Sequence, residues 1–245
     1  MSDIISGIRF SLSGFKLVIQ PGIRIYLLVP LLINSLFFSI IVFYGSIQIS
    51  ELVDWIEQQW QWLSWIGWLL WPIFFIIALT LTFFCFSIIV NLIAAPFNGQ
   101  LSEAVERYLT NQSVNSDRNH NSSGLSLKII LAGIANEIQK FLYIMVRTIP
   151  LLILFVVPVL QVTAPIIWIF FAAWIMALEY LEYPLGNHGM EFLEVRQQVS
   201  INRKISIGFG LGISFLTMIP IVNFIVMPVA VAGATKLYVN KLKNE

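Results

Sequence analysis

A Pro-Gly turn followed closely by an arginine, Gln20-Pro21-Gly22-Ile23-Arg24, is the stretch of this sequence whose residue types fit anion chemistry. Pro21 suits the first position of a helix, and Gly22 lets a backbone approach a ligand with no side chain in the way. A helix that starts here presents free N–H groups and a positive dipole end, to which Arg24 adds a fork of donors matching an oxyanion. A tetrahedral anion fits Gly22, Ile23 and Arg24. A plain turn with a snorkelling arginine at a membrane surface accounts for the same residues without a ligand.

A second constellation comprises Asn91, the turn from Ala94 to Gly99, and then Glu103, Glu106 and Arg107. On a helix Glu103 precedes Arg107 by four residues, the favourable acid-first order, and Glu106 lies one turn from Glu103. As a surface ion pair this is worth about 0.3 to 0.5 kcal/mol. As the mouth of a path, Arg107 attracts an anion while Glu103 holds the guanidinium and limits how tightly the anion stays. Asn91, Glu103, Glu106 and Arg107 are therefore pore or mouth candidates. His188 lies in Tyr183-Pro184-Leu185-Gly186-Asn187-His188-Gly189, and His120 is the other imidazole. A turn-forming or capping role suits His188 better than metal binding. Cys85 stands alone inside an apolar run, which leaves neither a disulfide nor a thiolate site. There is no HExxH, no Gly-x-Ser-x-Gly and no paired intramembrane carboxylate, so no enzyme, metal or cofactor is expected.

The elements that must position these residues are set by charge. All 14 Lys and Arg residues fall in polar stretches at the ends of long apolar blocks, and none occurs between Ile25 and Val105. With 58% hydrophobic and 11% charged residues and a mean hydropathy of +0.84, a soluble fold could not hide its apolar surface. A soluble binding module and a nucleic-acid partner are excluded, because the basic residues are segregated by membrane side. The expected class is an all-α integral membrane protein. Residues 1–20 carry an apolar stripe, Ile4, Ile8, Leu12, Phe15 and Ile19, beside Arg9 and Lys16, which predicts an interfacial helix. They lack a secretory signal's short apolar core and cleavage site, so they are expected to remain. Residues 25–49 and 69–95 are long enough to span, the second ending at Pro96. Between them Ser50 to Ser64 carries Glu51, Asp54 and Glu57 with Trp55, Trp60 and Trp62 and no base, the composition of an outer loop.

Residues 110–126 are polar and aperiodic, a flexible cytoplasmic loop in which glycosylation at Asn111 or Asn121 is not expected. Lys128 to Arg147 resumes a helical pattern, with Glu137 and Lys140 three apart. The blocks 149–178 and 205–235 each begin and end beside basic residues and carry Pro165 or Pro220 near the middle. A single span would put the flanking charges on opposite sides. Broken at proline, each block gives half-helices of roughly 15 residues, about 22 Å long, that enter and return without reaching the far face. One long tilted span per block is the alternative. Re-entrant hairpins fit the charges and leave both termini in the cytoplasm.

Over nearly its whole length the chain resembles the CysZ family of bacterial inner-membrane sulfate transporters. The matching words are GFKLVIQPGIR from Gly14, LWP at Leu70, NLIAAPFNG from Asn91, EYLEYPLGNHG from Glu179 and TMIPIVNFIVMPVAVAGAT from Thr217. The resemblance implies sulfate uptake into the cytoplasm for cysteine synthesis, without an ATP-binding subunit. It also implies two long transmembrane helices and two partly penetrating hairpins. In that family the Gly-x-Arg turn is associated with sulfate, a role that falls here on Gly22, Ile23 and Arg24. Some relatives place a second arginine next, where this chain has Ile25. Short hairpins cannot seal a path alone, so identical chains in a lipid environment are expected to associate. A membrane scaffold or assembly factor without a transported substrate is the alternative.

Overall fold

A computed structural model describes residues 2–60, 66–111 and 127–243. Among the described residues the secondary structure is helical throughout: α1 Ser2–Val18, α2 Ile25–Gln59, α3 Ile66–Thr110, α4 Leu127–Val156, α5 Ala164–Gly186, α6 Phe192–Ile201, α7 Arg203–Thr217 and α8 Pro220–Leu237. A π-helical turn, Tyr238–Leu242, follows α8. Trp62, the loop 112–126 with His120 and Asn121, and the side chains of Cys85 and Asn91 lie outside the described residues.

The chain divides into two compact units, one of residues 1–24 and 98–245 and one of residues 25–97. The second unit is formed by α2 and the greater part of α3. In it Gly45 sits against the Phe74 ring, where a Cβ would have no room. Leu32, Leu36, Phe43, Ile76 and Leu79 are exposed. Such a surface requires lipid.

Two helix bounds differ from expectation. The outer loop predicted from Ser50 is helical as far as Gln59. Nothing between Ser50 and Gln59 is glycine or proline. Loss of hydropathy marks where lipid contact ends, not where backbone hydrogen bonding ends. Likewise α3 continues through Pro96 to Thr110. Proline's fixed φ is compatible with a helix and costs it one hydrogen bond, while the following LSEAVERYL favours helix strongly.

The first unit is built around α7. Gly208 meets the backbone of Ile4 in α1, and Gly210 meets the carbonyl of Ala173 in α5, so neither position has space for a Cβ. Small residues permit this backbone approach where lipid removes the usual apolar driving force between helices. On α1 the buried residues are Gly7, Ser11, Gly14, Leu17 and Val18; of the predicted apolar stripe, Ile4, Ile8 and Phe15 are half-buried while Leu12 and Ile19 are exposed. The helix is thus docked between α7 and α8, its small residues permitting the close approach while Leu17 is buried and Phe10 and Phe15 pack against the core. Phe209, Ile213, Val226, Ala230, Leu181 and Leu185 fill the core between α5, α7 and α8.

Both proline-bearing blocks break near their prolines. Val157–Thr163 forms the first turn and Pro165 opens α5, and Met218 and Ile219 link α7 to a helix that starts at Pro220. The α7 and α8 arms have 15 and 18 residues, about 22 and 27 Å. In the first block the arms are not half-helices of 15 residues: α4 has 30 and α5 has 23, about 45 and 34 Å. Each extends through polar sequence beyond the apolar block, as α2 does. Ala135–Val156 and Ala164–Gly186 are, by length and composition, long enough to cross a membrane, as is Ser39–Ile56.

Candidate functional site

The Gln20–Arg24 turn is held from within. The amides of Ile23 and Arg24 both donate to the Gln20 carbonyl, at 3.0 and 3.1 Å, and the Gln20 amide donates to Leu17 O at 3.0 Å. Gly22 adopts φ +89°, a left-handed conformation that glycine reaches without cost. A side chain at Gly22 would meet nothing, so the turn needs its backbone freedom and not its smallness. The Ile23 side chain is buried and anchors the turn, while Arg24 is exposed. Two of the three amides expected to be free are therefore engaged. The Gly22 N–H has no backbone acceptor among the described residues, and it stands with the Arg24 guanidinium as the turn's available donors.

The second constellation gathers on α3. Asn98, Ser102 and Glu106 recur every four residues on its buried face and form a polar seam in an otherwise apolar core. The Ser102 and Thr235 hydroxyls are 2.8 Å apart. One turn further on, Lys243 Nζ donates to Glu106 Oε1 at 2.9 Å, and His188 Nε2 lies 3.0 Å from Glu106 Oε2. The His188 ring stacks on Tyr238 with centroids 5.1 Å apart. Burial pushes the Glu106 carboxyl up, but the Lys243 and His188 hydrogen bonds outweigh it and hold the group below its ordinary value. One turn before Ser102, Asn98 lies beside Tyr183, and its buried Nδ2 makes no hydrogen bond among the described residues. Asn187 Nδ2 donates to Gly99 O at 2.9 Å, which ties the α5–α6 connection to the same helix.

Glu103 and Arg107 form the pair their spacing predicts, at 2.7 Å, on the exposed side of α3. The sequence candidates thus separate into distinct environments. Glu106 is buried in a cluster of three charged or titratable groups, Glu103 and Arg107 form a surface pair, and Asn91 lies on the α3 backbone in the other unit. No hydrogen bond or ion pair among the described residues links Arg24 to Glu103, Glu106 or Arg107. Spacing could not reveal the partners of Glu106, because His188 and Lys243 lie 82 and 137 residues away. His188 does sit in a turn, as expected, but it is also a carboxylate partner.

A family model described as "Sulfate transporter CysZ/Etoposide-induced protein 2.4" matches residues 11–228. A protein named sulfate transporter CysZ from Vibrio parahaemolyticus is 36% identical over 242 residues, covering 98% of this chain and 96% of its own. Those of Vibrio atlanticus and Pseudomonas aeruginosa, with the same name, are 37% and 36% identical, over 98% and 97% of this chain and 94% and 96% of theirs.

Proposed function

The chain belongs to the family of sulfate transporter CysZ and etoposide-induced protein 2.4, and from that premise we propose that it carries sulfate across the bacterial inner membrane to supply cysteine synthesis. The observation that carries the reading is end-to-end similarity to proteins of that name, joined to a glycine turn whose arginine is exposed. Sulfate is held at Gly22, Ile23 and Arg24: the Gly22 amide and the Arg24 guanidinium donate, and buried Ile23 fixes the turn. A full desolvated cage would hold the ion too tightly to release, whereas few and weak donors permit turnover.

The α3 seam supplies the continuation of the path. Asn98 places a buried amide beside Tyr183, and Arg107, steadied by Glu103, draws the anion toward the cytoplasmic mouth. Glu106 holds the wall closed around Lys243 and His188. Segregation of Lys and Arg supports cytoplasmic termini. The short arms α7 and α8, which cannot seal a path alone, support association of identical chains within lipid.

Where binding strips the anion of its water, a site made of donors alone distinguishes sulfate from hydrogen phosphate, whose proton would lack an acceptor. A calorimetric titration in detergent tests this. Sulfate should bind more tightly than phosphate, and Arg24→Ala should weaken it by about tenfold, the loss of one charge-assisted hydrogen bond at an exposed site. Equal affinity for the two anions, or an unaltered variant, contradicts the site.

A further inference from the structure

Away from the α3 seam, Arg147 of α4, Arg196 of α6 and Arg203 at the start of α7 converge on one cleft of about 570 Å³. Its polar lining is completed by Ser200. Among the described residues, no carboxylate forms an ion pair with any of the three arginines. They lie instead on two aromatic rings. The Arg147 guanidinium is 3.9 Å and that of Arg196 5.3 Å from the Tyr143 centroid, and Arg203 is 5.7 Å from that of Trp174. Trp174 Nε1 donates to Tyr143 Oη at 2.8 Å, so the platform is fixed before any ligand arrives.

Two guanidiniums that share one ring repel each other, and a third in the same cleft adds to the repulsion. An anion seated between them relieves it, and planar forks of N–H donors suit the oxygens of a phosphate. The remainder of the cleft is apolar: Leu151, Ile167 and Phe170 line it from α4 and α5. Beyond them the same helices expose Leu152, Ile153, Ile166 and Ile169. A free inorganic ion would leave that apolar wall unused, whereas an acyl chain would cover it. We propose that this cleft binds the phosphate of an anionic phospholipid, with the headgroup across Arg147, Arg196 and Arg203 and an acyl chain along Leu151, Ile167 and Phe170. The site is separate from the Gly22–Arg24 turn and does not depend on its function.

The test is native mass spectrometry of the full chain, released from detergent after titration with phosphatidylglycerol or phosphatidylcholine. Wild type should retain phosphatidylglycerol in preference to phosphatidylcholine. Arg147→Gln with Arg196→Gln should weaken that retention by about tenfold or more, since two of the three guanidiniums facing the phosphate are removed. Ser200→Trp, which fills the cleft without removing charge, should do the same and decides the matter if the double variant does not fold. Retention unchanged in the variant that folds overturns the proposal. So does displacement of phosphatidylglycerol by millimolar sulfate or phosphate, since the cleft would then be a site for free anions.

Discussion

Lys243, at the very end of the described chain, places its ammonium 2.9 Å from Glu106 on α3, a residue 137 positions earlier. The contact closes the π-helical turn after α8 onto a buried carboxylate that also meets His188. A half-exposed lysine outside α8 thereby pairs with a buried carboxylate of α3.

Lys243→Met should lower the thermal midpoint in detergent, because it leaves Glu106 buried with a single partner. Loss of a hydrogen-bonded charge partner costs about 1 to 3 kcal/mol. The partial exposure of Lys243 puts the effect toward the lower end. Glu106→Gln together with Lys243→Met should be milder than the sum of the two single variants, since neither then strands a charge. Additive effects in a double-mutant cycle would mean that the pair is not coupled.

The pH dependence has a definite sign. The folded-state carboxyl of Glu106 is held below its reference value of 4.5 by Lys243 and His188, against the opposing effect of burial. Its contribution to stability is therefore fully present above about 4.5 and is lost as pH falls through the lower folded value. Thermal melts taken below that pH should lose stability in wild type more steeply than in Glu106→Gln.

Lys140 offers a separate test of polar tethering. Its ammonium lies 2.7 Å from Glu182 and 2.9 Å from Glu179, and so links α4 to α5. Lys140→Met should cost about 1 to 3 kcal/mol, less than a fully buried pair because Glu179 reaches solvent. Adding Glu182→Gln should recover part of the loss. Failure to recover any would indicate that the lysine acts through packing alone.

Gly210→Ala should be more damaging than its size suggests, because the new methyl would run into the Ala173 carbonyl. Overpacking of this kind costs about 1 to 3 kcal/mol. Gly22→Ala has open space around it but a φ of +89°, so its cost is conformational, about 1 to 2 kcal/mol, and should appear in sulfate affinity. A melting point equally depressed by both would contradict the distinction between a packing glycine and a turn glycine.

What could be read from the sequence was whatever helix geometry or solvent fixes locally. Segregated Lys and Arg identified a membrane protein, Pro165 and Pro220 marked the starts of helices, and a four-residue spacing foretold the Glu103–Arg107 pair. Pro96 was misleading because a proline within a strongly helical context costs one hydrogen bond without ending the helix. The three-residue spacing of Glu137 and Lys140 marks the helix and gives a contact of 3.9 Å, but the shorter contacts of Lys140 reach across to α5. The environments of Glu106, and of the three arginines around Tyr143 and Trp174, exist only once α3 to α8 have docked. No local pattern encodes them.

The most direct test of the central claim is radiolabelled sulfate uptake by the purified chain in proteoliposomes, wild type beside Arg24→Ala. Saturable uptake by wild type, lowered about tenfold in the variant at subsaturating sulfate, is the predicted result. Uptake equal to that of protein-free vesicles, or identical in the two proteins, would contradict a transporter whose anion is held at Gly22–Arg24.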